Sequence, residues 1–455
     1  MIMARRILVI GGLAAGPSAA SKAARTSPDA EVVLLEQGES VSYGICEIPY
    51  YVSGEFAAEG LAPFTPASLG TTRRIDVRVL HRVEEIQPYR RSITVRNLRG
   101  GTVEEMRYDR LIIATGARAK RLGFTGEEAR NVFRVRALDE GVALKKFLEQ
   151  ERPRTAVIIG GGYIGMEMAD AFRAHGLEVT VVHNDALPMK GLEKETRERV
   201  REELEKNGVR FVGPCHVEGF VRGRDETVSH VATSEGPLEA GIAVVAIGVE
   251  PETALARAAG VRAGATGGII TDQRQQTSAD NIFAAGDCCE VKNLATGRQC
   301  YIPLATIASK AGWTAGENAA GGNAVFRGAI RSVAVRVFGL EVAQVGAGEE
   351  EARRGGIDAV SETITAWSRV KNMPGSQQVT IRLVADRKSG RVIGANVHGR
   401  DGAVLRANTL AVAIQQRVTI AEMQEWDLAY SPPFTPLWDP LLVAANAMNR
   451  KLRPQ

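Results

Sequence analysis

The chain is poor in cysteine and in aromatic residues: five Cys in 455 residues, and Phe, Trp and Tyr together only 5%. Cys46, Cys215, Cys288, Cys289 and Cys300 form no Cys-x-x-Cys pair and no disulfide framework. That excludes a thiol-rich metal site, and a reducing cytoplasm is the expected setting. Long hydrophobic runs are also missing. Nothing approaches the roughly 18–20 apolar residues of a membrane span. Charge of one sign is barely in excess, with 57 Lys+Arg against 53 Asp+Glu. This gives no electrostatic case for nucleic acid or a membrane surface as partner. The apolar run Ile7–Ile10 stops at Gly11-Gly12, so it reads as a buried strand entering a turn rather than a signal peptide.

Glycine is what the chain has in excess, 48 residues. Strand Ile7–Ile10 leads into Gly11-Gly12-Leu13-Ala14-Ala15-Gly16, a helix pattern to Ala24 and a strand Glu31–Glu36, a βαβ unit. The same order recurs: Ala156–Ile159, Gly160-Gly161-Gly162-Tyr163-Ile164-Gly165, a helix to about His175, and strand Glu178–Val182. Three further strands end at glycine: Leu111–Ala114 before Thr115-Gly116, Ile242–Ile247 before Gly248, and Asn281–Asp287. From about 330 the texture changes. Strand-like alternation in Arg331–Phe338 and Gln378–Val384 precedes a helix at Val404–Gln416. The expectation is an α/β chain with two Rossmann-like units and a C-terminal α+β unit.

A dinucleotide pyrophosphate needs open backbone N–H groups at a helix start and no side chain in its path. Gly160-x-Gly162-x-x-Gly165 meets that fingerprint fully. The first turn has Leu13 where the middle glycine is expected. Glu36 is placed to accept from an adenosine ribose hydroxyl. The second site ends its strand in His183-Asn184 and lacks the carboxylate that would repel a 2′-phosphate, leaving NADPH and NADH both open.

Together, the two turns, Ala114-Thr115-Gly116 and Thr277…Phe283-Ala-Ala-Gly286-Asp287 resemble the flavoprotein disulfide reductases with two dinucleotide sites. The resemblance implies FAD bound at the first site, with contacts from Gly11, Gly12, Ala14, Ala15, Gly16, Glu36, Ser42, Ala114, Thr115, Gly116 and Asp287. It implies NADPH or NADH at Gly160, Gly162, Tyr163, Ile164, Gly165, His183 and Gly248, with Tyr163 covering the flavin face. The implied division is 1–117 and 248–328 for FAD, 118–247 for NAD(P)H and 329–455 for dimerisation, giving a homodimer.

The segment Ser42-Tyr43-Gly44-Ile45-Cys46-Glu47-Ile48-Pro49-Tyr50-Tyr51, with Ser431-Pro432-Pro433-Phe434, is similar to the single-cysteine branch of that family. That branch holds coenzyme A disulfide reductases, CoA persulfide or polysulfide reductases, and NADH oxidases and peroxidases. It implies that Cys46 is the redox cysteine, forming a mixed disulfide with a bound sulfur substrate. Oxidases and peroxidases of the branch carry a His in the first turn, where this chain has Ala14. CoA-binding members carry cations that Lys22, Arg25, Arg73 and Lys310 match, with Ser42 and Phe434 also on the substrate side. Some reductases have a tyrosine at the place of Phe434, which cannot donate a proton, and Tyr430 is a tyrosine on the same segment that could reach the site. The expected activity is NAD(P)H-dependent reduction of CoA disulfide or CoA persulfide, with CoA as a possible bound group. The alternatives are an oxidase or peroxidase cycling a cysteine sulfenic acid, and a non-catalytic flavin redox sensor.

Overall fold

The structure, a computed structural model, describes residues 5–453. Two five-stranded parallel sheets form its nucleotide-binding part. The first runs in the order Ile282–Ala284, Arg110–Ile113, Arg6–Ile10, Glu31–Leu35, Asp76–Arg78. The second runs Val209–Val212, Glu178–Val182, Thr155–Ile159, Ile242–Val245, Val132–Phe133. In both, the central strand is apolar and buried after its first residue because helices or further sheets cover both faces. Each central strand is followed by a Gly turn and a helix, Ala15–Thr26 in the first unit and Tyr163–Ala174 in the second.

The chain leaves the first unit through Ala117–Ala119 and returns through Val249–Pro251, which pair antiparallel side by side. Helix Ala305–Ala319, after that return, packs backbone to backbone on helix Ala15–Thr26. A Cβ added to Gly312 would stand 2.2 Å from the carbonyl oxygen of Ala15, and one on Gly316 2.0 Å from that of Ala19. Only glycine permits this approach.

The third unit is a five-stranded antiparallel sheet ordered Ser332–Val337, Leu340–Gly346, Val392–Gly399, Gln378–Asp386, Ala359–Trp367. Helices Ala403–Gln415 and Pro440–Leu452 bury Leu410, Ile414, Leu441 and Met448 with the sheet residues Ile381, Leu383 and Val397. Leu405 and Val412 on the first of these helices, and Phe434, Leu437 and Trp438 before the second, stay exposed. Two small antiparallel sheets decorate the nucleotide units: His81–Gln87, Ser92–Asn97, Val103–Arg107 and Val217–Arg222, Val228–Thr233, Leu238–Glu239. No described helix is long and apolar enough to cross a membrane.

Candidate functional site

The two Gly turns are built alike. Gly11 has φ +111° and Gly160 φ +116°, and a Cβ on either would collide with the carbonyl of Ala114 or Ala246 on the neighbouring strand. Helices Ala15–Thr26 and Tyr163–Ala174 both begin with no side-chain cap and no acid in the first turn. Their first N–H groups are therefore free for an anion, and the helix dipole favours one. The residue types at the strand ends differ. Glu36 Oε2 accepts the Gly12 N–H at 2.6 Å and its Oε1 accepts the Gly38 N–H at 2.7 Å. At the equivalent place His183 Nδ1 accepts the Gly161 N–H at 3.2 Å. Burial holds this imidazole below its usual pKa, with Asp185 opposing and Arg197 and Lys190 reinforcing. The second site thus presents a neutral ring where the first presents a carboxylate.

Around the first turn, Ser42 donates its N–H to the Gly12 carbonyl at 2.8 Å. Thr115 turns its hydroxyl away to the Glu252 carbonyl at 2.6 Å. Asp287 stands just past strand Ile282–Ala284, and Arg136 Nη2 reaches its Oδ2 at 3.0 Å. Burial raises the Asp287 carboxyl and Arg136 opposes that rise. The Tyr301 hydroxyl, within the field of Asp287, is buried without a hydrogen-bond partner. Open helix starts, side-chain-free turns and an orphaned hydroxyl beside a carboxylate fit a dinucleotide with a polyhydroxyl chain.

Cys46 sits on the short 3-10 turn Ile45–Glu47 that leads into helix Ile48–Ser53. It is exposed, whereas Cys215, Cys288 and Cys289 are buried and Cys300 is half-buried. The crowding of the site pushes the Cys46 thiol up; Glu167, Asp287 and Glu47 push the same way, and Arg136 opposes them. These charges come from both nucleotide units, so the thiol lies where the units meet. Tyr163, at the start of its helix, is half-buried and packs against the core, and burial pushes its hydroxyl up to about 12.

Residues 5–312 match the family described as pyridine nucleotide-disulphide oxidoreductase, and residues 333–440 match its dimerisation domain. The chain belongs to this family. It is an oxidoreductase that uses FAD and NAD(P)H. It is 34% identical over 449 residues to the NAD(P)H coenzyme A polysulfide/persulfide reductase of Pyrococcus horikoshii, spanning 98% of this chain and 99% of that one. Reduced CoADR-RHD of Bacillus anthracis superposes with a TM-score of 0.95 at 31% identity, over 99% of this chain and 81% of that one. The NAD-dependent persulfide reductase of A. fulgidus superposes with a TM-score of 0.93 at 34% identity, over 98% and 83%.

The other sequence-derived residues fall into four groups. Lys22 is engaged: its Nζ lies 2.8 Å from Glu317 Oε2 and 4.1 Å from the ring centre of Trp313. Arg25, Arg73 and Lys310 are exposed and make no ion pair among the described residues. Tyr430 and Phe434 are exposed on the third unit, Phe434 at 79%. Gly116 and Gly248 both take positive φ where the chain crosses between units.

Sequence reasoning missed Arg136, Glu167 with Tyr50, and Lys190. No local signal marks Arg136, which finds Asp287 only in three dimensions. Glu167 was readable, since it lies four residues after Tyr163 and so on the same helical face. Lys190 adds to the positive field at His183 and lines a cavity of about 580 Å³ with Arg298, Arg331 and Arg354, where all three units meet.

Proposed function

We propose that the chain reduces CoA disulfide or CoA persulfide and polysulfide with NAD(P)H, using Cys46 as its one redox-active thiol. The observation that carries this reading is a single exposed cysteine in the joint field of Asp287, Arg136 and Glu167. The names of the relatives point the same way.

In this reading the first turn, Gly11–Gly16, takes the FAD pyrophosphate on the N-terminus of helix Ala15–Thr26. Glu36 orders that turn and faces the adenosine end, and Asp287, steadied by Arg136, takes the ribityl hydroxyls. Gly160–Gly165 takes the NAD(P)H pyrophosphate in the same way. Bound FAD supplies the two-electron relay between NAD(P)H and sulfur. Tyr163 shields the place where the two rings meet. Cys46 attacks as the thiolate: one S–S bond breaks, a mixed disulfide with Cys46 forms, and one thiol leaves from a disulfide, or hydrosulfide from a persulfide. Two electrons from NAD(P)H and a second proton then release the other thiol. With one cysteine, the substrate sulfur is itself the resolving partner. Lys22, Arg25, Arg73 and Lys310 supply cations for the phosphates of CoA.

The NAD(P)H end accepts the 2′-phosphate because an imidazole stands at the strand end, the nearby Asp185 is paired with Arg197 at 2.7 Å, and Lys190 adds positive field there. Two copies pair through the third unit, covering Leu405, Val412, Leu437 and Trp438. This pairing carries Tyr430 and Phe434 toward the other copy's thiol.

The test is an acceptor panel with NADH and NADPH: CoA disulfide, CoA persulfide, polysulfide, glutathione disulfide, peroxide and dioxygen. Turnover with a CoA-linked sulfur at least about tenfold above peroxide and dioxygen supports the reading. Faster peroxide or dioxygen turnover makes the chain an oxidase or peroxidase. Turnover below about one per minute with every acceptor makes it a redox sensor.

A further inference from the structure

Helix Ile48–Ser53, which follows Cys46, lies against helix Tyr163–Ala174 of the second unit. One polar link between them is Tyr50, whose hydroxyl donates to Glu167 Oε1 at 3.2 Å; another joins His175 Nε2, just past the second helix, to the Val52 carbonyl at 2.6 Å. Glu167 is half-buried, and no cation pairs with it among the described residues. Arg336 is nearby, with its guanidinium 5.0 Å from the Tyr50 ring centre. Arg336 is already committed to Glu55, however, and reaches Asp170 at 3.9 Å. A carboxylate is thus held in a crowded site without an ion pair of its own, and Arg336 favours its charged form only from a distance. It is also the strongest single charge acting on Cys46, ahead of Arg136, Asp287 and Glu47.

We propose that Glu167 and Tyr50 form a proton-holding pair that sets the charge on Cys46. The ionised carboxylate keeps the thiol protonated, and the neutral acid lets it ionise. The exchange balances without any other reactant. The proton that leaves the thiol is taken up by the carboxylate, so Cys46 and Glu167 together keep one negative charge. Glu167 suits the part because burial lifts its carboxyl to about 7, so both of its forms are populated near neutral pH. The Tyr50 hydroxyl moderates that rise by donating to the charged form. Glu167 is a positioning residue: it acts on sulfur chemistry through the thiol. It extends the proposed reading of Cys46 but does not depend on which acceptor is used.

The experiment measures alkylation of Cys46 by iodoacetamide against pH in the FAD-loaded protein, with the other four cysteines replaced by Ser or Ala. Glu167→Gln keeps the shape of the side chain and removes its charge. Its alkylation at pH 7 should rise on the order of tenfold, the effect of about one pKa unit. Tyr50→Phe should instead move the wild-type inflection near pH 7 upward, because the carboxylate loses its donor. Flavin content, read from the absorption spectrum, reports whether each variant is folded. Profiles of both variants that superpose on wild type overturn the proposal. A changed profile in Glu167→Gln alongside full sulfur reductase activity in Cys46→Ser would keep the pair and discard the catalytic reading of Cys46.

Discussion

Arg136 and Asp287, 151 residues apart in the chain, meet through a guanidinium–carboxylate contact of 3.0 Å. The contact ties the segment before helix Leu138–Glu151 to the strand end that faces the ribityl chain in the proposed reading. Both partners are largely shielded, so removing one strands the other. Arg136→Met should weaken FAD binding on the order of tenfold, the consequence of about 1.4 kcal/mol. A fluorescence titration of the flavin-free protein checks it, and an unchanged dissociation constant would show that Asp287 does not depend on its partner.

Cys46→Ser is the most direct test of the chemistry. Serine is nearly isosteric but does not ionise near neutral pH, so exchange with a disulfide stops. Sulfur reduction should fall at least about 10³-fold, comparable to the loss of a catalytic nucleophile. The flavin site stays intact, and NAD(P)H should bleach the flavin at close to the wild-type rate. Cys288→Ser and Cys300→Ser should leave turnover in place.

The unpaired cations offer a test of CoA recognition that spares the folded structure. Arg25→Glu with Lys310→Glu should raise KM for CoA-linked acceptors about tenfold, through repulsion of phosphate. KM for NAD(P)H, measured with an artificial dye as acceptor, should not move. Lys22 is less suited to this test, because its bond to Glu317 and its place over Trp313 give it a structural part as well.

Nucleotide choice is expected to follow Lys190. Lys190→Glu should cut kcat/KM for NADPH about tenfold or more and leave NADH within about twofold, since only the 2′-phosphate meets the new charge. Steady-state kinetics with both nucleotides decide it, and an equal loss with each would remove Lys190 from the ribose end.

His398 governs part of the acid stability. It is buried on strand Val392–Gly399 with Thr196 Oγ1 at 3.2 Å from its Nδ1, and burial lowers its pKa to about 4. Between about 4 and 6.5 the unfolded chain binds a proton that the folded chain refuses. Stability is therefore fully present above pH 6.5 and drains away as the pH falls toward 4. The shift corresponds to roughly 3 kcal/mol at most. His398→Asn should flatten that slope in denaturant melts at pH 4.5 and 6.5, and an equal slope in both proteins would refute it.

The sequence carried the parts of this structure that are written locally. A strand, a Gly turn and a helix occupy about a dozen consecutive residues, and the backbone needs glycine where Gly11 and Gly160 pass a neighbouring carbonyl. Cys46 was legible because its neighbourhood is a continuous motif. The three-stranded sheet around Ser92–Asn97 was not, since Val103–Arg107 exposes nearly every side chain and shows no alternation. Strand Val392–Gly399 is buried throughout, so it too lacks a period of two, and its Gly, Asn and His obscure the apolar run. Arg136 and Lys190 act through partners on other elements, which spacing does not mark, whereas the i,i+4 spacing of Glu167 from Tyr163 gave its helical face but not its partner Tyr50.

Ala119 and Val249 stand opposite one another in a strand pair, and all of the residues between them belong to the second nucleotide unit or to its approach. The other five-stranded parallel sheet draws no strand from that stretch. A short turn from Ala119 to Val249 would close the pair as a hairpin and leave that sheet whole. The chain can therefore be read as one nucleotide-binding protein grafted into a surface loop of another. A single insertion at one doorway is enough to build it, and Arg136 is the latch that the guest extends back to its host.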